Sequence, residues 1–190
     1  KVIERGKWRN CKLIDNRVSG FILIEMLREL KVKHYDVYGV FTVQEEVGLR
    51  GANVSTQQIQ PDFGFGLDTT IAYDVPGAAP HEKITELGKG AAIKVMDSST
   101  ICDYRMVSYM KQVAKNHNIK HQLEILTGGG TDTAGIQRFT PGGSIAGAVS
   151  IPTRHIHQVI EMADKDDIRD SIDLLLNCVK DLNKYDWSFK

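Results

Sequence analysis

Four carboxylates and one imidazole hold positions from which they could act together. Glu45 and Glu46 follow DVYGVFTVQ, Asp68 follows DFGFGL, His157 follows IAGAVSI, and Asp15 stands just ahead of a helical segment. Oxygen and nitrogen donors of this kind hold divalent cations, and a spare carboxylate beside such an ion can take a proton from water. Adjacent glutamates on a continuing strand project to opposite sides, so one could bind a metal while the other meets substrate only if the chain turns there. Gly48 and Gly51 in EEVGLRGA provide for that turn. By themselves the residues leave ordinary roles open: a solvated surface pair for the glutamates, a helix cap for Asp15, a turn for Asp68, and a carbonyl partner for His157.

The elements that must position these groups are legible as periodicities. Val18, Phe21, Ile22, Ile24, Met26, Leu27 and Leu30 recur at helical spacing and predict a helix from Val18 to Leu30. Asp36 to Gln44 is rich in β-branched and aromatic residues and predicts a strand buried on both faces. Asp62 to Leu67 predicts a short strand that ends at Asp68, its glycines permitting close approach of another backbone. A helix is expected from Ser99 to Asn116, a strand from His121 to Leu126, and a short helix near Thr133 after the run Gly128 to Gly130. Ile145 to Ile151 reads as a strand stopped by Pro152, and Lys165 to Leu182 as an amphipathic helix. Strands alternating with helices predict an α/β layer fold, with a largely parallel sheet and helices on both faces. In such sheets ligands bind at the carboxyl ends of the strands, where the candidate groups fall.

Composition narrows the partners. Of the 190 residues, 24 are Lys or Arg and 24 Asp or Glu, so there is no basic field to recruit nucleic acid or an anionic membrane surface. No apolar run reaches the roughly 20 residues of a membrane span, and the first residues lack the apolar core of a signal peptide. Cys11, Cys102 and Cys178 are scattered without a C-x-x-C spacing, which points to reduced thiols in a cytoplasmic protein. Lys89 in LGKGAAIKVMD is not followed by Ser or Thr, so that segment is not a phosphate loop.

The strings IDNRVSG, FTVQEEVGLRGA, GLDTT with AYDVPG, LGKGAAIKVMD, GGGTDTAGIQ and IPTRHIHQVIEM resemble, in order, the signature segments of the glutamyl and deblocking aminopeptidases. These form the tetrahedral-aminopeptidase family of dinuclear metallopeptidases, some of whose members are named endoglucanase. The resemblance implies a three-layer α/β/α fold of the zinc-peptidase kind and removal of N-terminal residues from peptides. It implies Asp15 as the carboxylate shared by two metal ions, Glu46 and His157 as further ligands of one, and Asp68 as a ligand of the other. Glu45 is then the general base, and His155, at a position usually tyrosine, a neighbour. Gly129, Gly130, Thr131 and Asp132 are expected near the substrate, with backbone N–H groups at the start of a helix. Two divalent ions, zinc or cobalt with manganese as a further option, a peptide substrate and a homo-oligomeric full-length protein complete the set.

The family pattern also includes a histidine in an H-x-D segment ahead of IDNR, with a small β-rich domain inserted between the two. Neither is found in these 190 residues. The chain is therefore read as a single unit, 1–190, the carboxyl-terminal part of a catalytic domain, holding at most one ion and having little peptidase activity in isolation. Two other readings are a glycoside hydrolase, which adjacent glutamates suit poorly because its two carboxyls stand about 5–9.5 Å apart across a sugar, and a non-catalytic module that keeps the fold.

Overall fold

Ile145–Arg154, a run of small and β-branched residues, forms the spine of the sheet and is buried along almost its whole length. The structure is a computed structural model that describes residues 2–189. In chain order its elements are β1 (Ile3–Arg5), β2 (Trp8–Cys11), α1 (Ile14–Glu29), α2 (Arg50–Ile59), β3 (Phe63–Ile71), β4 (Ala91–Met96), α3 (Tyr104–Asn116), β5 (His121–Ile125), α4 (Asp132–Phe139), β6 (Ile145–Arg154), β7 (Glu161–Asp164) and α5 (Lys165–Asp181). Short 3₁₀ turns lie at Glu45–Val47, Pro80–Glu82 and Leu182–Lys184.

One edge of β6 pairs in parallel with β3 from Phe63↔Ile145 to Ile71↔Thr153. Its other edge takes β4 at Val149 and Ser150, and β7 at Thr153 and Arg154, both antiparallel. β5 lies parallel to β4, while β2 and β1 extend the sheet antiparallel from β7. The expected largely parallel sheet is thus corrected to a mixed one whose strand pairs are mainly antiparallel. The tight turns after β1 and β6 account for part of this, because a parallel connection needs a longer crossover.

Side chains alternate across β3, and the two faces are covered differently. Phe63, Phe65 and Leu67 pack toward the clusters built by Met106, Tyr109 and Met110 of α3, Leu174 and Cys178 of α5, and Ile14, Ile22 and Met26 of α1. Gly64 and Gly66 face α4, and a Cβ at Gly64 would stand 2.5 Å from Ile136 Cγ2. The close approach expected of these glycines is realised by α4, with α2 behind it. Helices on both faces make the three layers.

Several expectations need correction. Asp36 to Gln44 is not a strand: no ladder forms there among the described residues, and Tyr38, Phe41 and Val43 are exposed. Composition gives that segment a liking for extended backbone, but a ladder also needs a neighbouring strand. The segment instead crosses to the start of α2, where Gly51 N–H donates to the Val43 carbonyl at 2.9 Å. Asp68 is not at a strand end, since β3 continues to Ile71. Nor does Pro152 stop β6. Thr153 turns its backbone polar groups toward β3, as its carbonyl accepts from Ala72 N–H, so Pro152 faces the other edge, between the registers of β4 and β7, where a missing N–H breaks no ladder. The helix expected from Ser99 begins at Tyr104, because the Asp103 side chain caps it by accepting from Arg105 N–H at 2.9 Å. No helix among the described residues is long and apolar enough to cross a membrane.

Candidate active site

Three loops carry the candidate groups to one place. Asp15 follows β2 and opens α1, where its own backbone (φ −75°, ψ 110°) and that of Asn16 are not helical, so the regular helix begins beyond them. Glu45 and Glu46 lie in the 3₁₀ turn after Gln44, which is in the left-handed region at φ 59°. Gly48, at φ 115°, closes that turn by donating to the Glu45 carbonyl at 3.1 Å. The adjacent glutamates are therefore on a turn, not at a strand end, as sharing one site requires. His157 sits in the β6–β7 connection with φ 62°.

His157 Nε2 is 3.1 Å from Asp15 Oδ2 and 3.6 Å from Glu46 Oε1. One donor atom from each of Asp15, Glu46 and His157 lies within 4.8 Å of the others. The Asp15 side chain is only 9% exposed, whereas Glu46 and His157 are 66% and 63% exposed, so the group has a buried wall and a side open to solvent. Asp68 lies outside this trio. Its Oδ1 accepts from Asn16 Nδ2 at 2.8 Å and from Thr69 N–H at 2.8 Å. Asn16 Nδ2 also reaches the Leu67 carbonyl at 3.2 Å, which ties the residue after Asp15 to β3.

The charges around the trio are one-sided. Burial, with Glu46 and Asp132 beside it, pushes the Glu45 carboxyl up to about 7. Burial raises Asp68 well above the usual carboxylate range, and the Glu45 and Asp15 carboxylates add to it. Asp15 is raised chiefly by burial, with Glu46 adding and His157 opposing. Asp132, the first residue of α4, is raised by burial against the hydrogen bond it accepts from the Thr42 hydroxyl at 2.5 Å, and its Oδ1 has no partner. Five carboxylates thus converge with one imidazole among them. A site so short of positive charge favours a cationic ligand.

The glycine run is held from behind. Gly130 presses on Ser99, where a Cβ would come within 2.3 Å of Oγ, and the buried Thr131 hydroxyl points to Asp97 Oδ2 at 3.3 Å. Gly129 accepts through its carbonyl from the Ser98 hydroxyl. Gly129, Gly130 and Thr131 are therefore fastened to the Asp97–Ser99 turn, and of the four residues expected near substrate only Asp132 is felt electrostatically by Glu45 and Asp68. A cleft of about 640 Å³ opens between Glu45, Asn16 and Asp132, with Phe41, Phe65 and Ile136 in its walls. Thr42, Asn16 and Glu161, which contact these groups, lie within the segments FTVQEEVGLRGA, IDNRVSG and IPTRHIHQVIEM, but nothing in their type or spacing assigns them a role.

The layered sheet and this acidic cleft define an α/β chain of the aminopeptidase fold. The M42 glutamyl aminopeptidase family matches residues 1–174, and the chain belongs to that family. It is 32% identical over 178 residues to the lysyl aminopeptidase of Pyrococcus furiosus, covering 92% of this chain and 49% of the relative. It superposes on aminopeptidase APDkam598 of the archaeon Desulfurococcus kamchatkensis with a TM-score of 0.92 and 36% identity, covering 95% of this chain and 51% of that one. The TET1 peptidase of Pyrococcus horikoshii, described as assembling into a tetrahedron or a large octahedral shell, gives 0.77 at 27% identity, with 93% and 52% covered. The chain spans about half the length of these relatives.

Proposed function

We propose that these residues belong to a metal-dependent aminopeptidase that removes N-terminal residues from peptides with a water activated at two divalent ions. The observation that carries this reading is the meeting of Asp15, Glu46 and His157 within 4.8 Å, with Glu45 beside them and its carboxyl near 7.

The donor set fits a divalent ion. Two donors about 2.1 Å from one ion at the tetrahedral angle stand about 3.4 Å apart, and the separations of 3.1 and 3.6 Å from His157 straddle that value. Asp15, Glu46 and His157 would hold one ion, and Asp68 with Asp15 a second. Zinc, cobalt and manganese all suit oxygen donors with one imidazole. Bound ions would act as Lewis acids and lower the pKa of water.

The chain's own groups do the rest. Glu45 accepts the proton of the attacking water at its carboxylate and returns it to the departing amine. Asp132, lining the cleft, supplies a negative charge that draws the free α-amino group of the peptide, which limits attack to the first peptide bond. An imidazole between two carboxylates is a cation's ligand set, not a pair of groups flanking a sugar. The full-length protein is a homo-oligomer in this reading, as its relative from Pyrococcus horikoshii is. The three free cysteines support a cytoplasmic setting.

The test is turnover of an aminoacyl p-nitroanilide by the full-length protein, with its metal content measured alongside. Glu45→Gln should lower kcat by roughly 10²–10⁴-fold while metal content stays at the parent level. Turnover that survives a chelator, or a Glu45→Gln protein as active as the parent, would overturn the reading.

A further inference from the structure

Asp15 and His157 belong to different loops, and neither a helix nor a ladder sets the distance between them. Asp15 precedes the regular part of α1, and His157 lies in a turn with a left-handed backbone. One side chain spans both loops. Glu161 opens β7 opposite Cys11, the last residue of β2, so the sheet holds it between the β2–α1 loop and the β6–β7 turn. Its Oε2 accepts from Asp15 N–H at 3.0 Å and its Oε1 from His157 N–H at 3.1 Å. The residue is 3% exposed.

We propose that Glu161 is a positioning residue: its carboxylate clamps the backbones of Asp15 and His157 so that their side chains meet a divalent ion already spaced. The proposal rests on the metal-centre reading above. Each carboxylate oxygen serves one loop, so no neutral side chain of the same shape replaces it. Glutamine would turn an amide N–H toward one of the two backbone N–H groups, donor against donor, and release that loop. Groups that orient ligands from behind in this way typically change metal affinity about 10–100-fold when mutated.

Asp167 supplies a matched control. It is also a fully buried carboxylate clamping two backbone amides, those of Gly88 and Gly90, each at 2.7 Å, but it touches none of the candidate ligands. The experiment titrates Co²⁺ into the 190-residue chain by calorimetry, with melting of the metal-free protein measured in parallel. Glu161→Gln should weaken Co²⁺ binding about 10–100-fold. Glu161→Asp, too short to reach both loops, should fall between it and the parent. Asp167→Asn should lower the melting temperature and leave affinity within twofold of the parent.

If the parent takes up no Co²⁺, Asp15, Glu46 and His157 do not hold an ion in this chain and the proposal for Glu161 fails, while turnover and metal content of the full-length protein decide the metal-centre reading itself. If the parent binds and Glu161→Gln binds within twofold of it, the role of Glu161 alone is overturned. That role is equally overturned if Asp167→Asn loses as much affinity as Glu161→Gln, or if neither Glu161 variant folds while Asp167→Asn does, because Glu161 would then be a fold determinant only.

Discussion

Lys94→Met should be among the most damaging single changes available in this sheet. The Lys94 ammonium is completely buried in β4, 2.6 Å from Glu124 Oε1 and 3.4 Å from Asp97 Oδ2, and both carboxylates are equally enclosed. Burial works against its charge, but Glu124 and Asp97 outweigh that and hold it above its ordinary value. Methionine fills a similar volume and leaves two buried carboxylates without their cation. Breaking a buried pair in this way costs about 3–5 kcal/mol. A chain of this size loses about 2–4 °C of melting temperature per kcal/mol, which gives a fall of roughly 6–20 °C. Urea unfolding followed by tryptophan fluorescence reads the cost directly. Lys94→Met combined with Glu124→Leu should recover most of it, because Asp97 keeps the backbone N–H groups of Ser99 and Thr100 at 2.8 and 2.9 Å. A cost below about 1 kcal/mol for the single variant, or a double variant less stable than the single, would refute the reasoning, since buried pairs follow the opposite order. The loss should also reach the cleft. The Thr70 hydroxyl donates to Glu124 at 2.6 Å two residues beyond Asp68, and Thr131, next to Asp132, leans on Asp97.

Two further outcomes follow from the packing. Burial raises Asp167 from 3.8 to about 6 despite its two backbone partners, so the folded state binds this proton more tightly than the unfolded chain does. Its contribution is therefore greatest below pH 4 and declines as pH rises to about 6, by about 3 kcal/mol at 1.36 kcal/mol per unit. The stability difference between the parent and Asp167→Asn should move in the parent's favour by that order from pH 7 to pH 4, and a pH-independent difference in melting curves would contradict this. Gly64→Ala should cost about 1–3 kcal/mol, as overpacking does, because its Cβ would stand 2.5 Å from Ile136. Urea midpoints unchanged from the parent would show that α4 moves freely off β3.

The elements legible in the sequence are those whose pattern is local and strong. α3 and α5 carry apolar stripes, α1 is apolar on more than one face, with Phe21, Ile24 and Leu27 exposed, β6 is a run of small and β-branched residues, and all four appear close to their expected places. β1, β2 and β7 are three or four residues long and owe their existence to one another, so no local pattern announces them. α2 is short and buries fully only Ala52 and Thr56, small residues that do not announce a core face. β4 interrupts its apolar run with Lys94, whose partners lie in the neighbouring strand β5 and in the turn that directly follows β4. At the site, Asp15, Glu46 and His157 stand out through the family resemblance, and the structure brings them together. Glu161 lies within IPTRHIHQVIEM, but its role is not legible there, because it acts through backbone amides separated from it by 146 and 4 residues.

The run from Val37 to Val43, VYGVFTV, has a colloidal consequence. It contains no charge and no proline, is made almost wholly of strand-forming residues, and leaves Tyr38, Phe41 and Val43 more than 60% exposed with no ladder. A seven-residue stretch of that composition is what cross-β stacking recruits. Self-association of this chain at high concentration would start there, and a lysine in place of Val43 is the change that would keep it in solution.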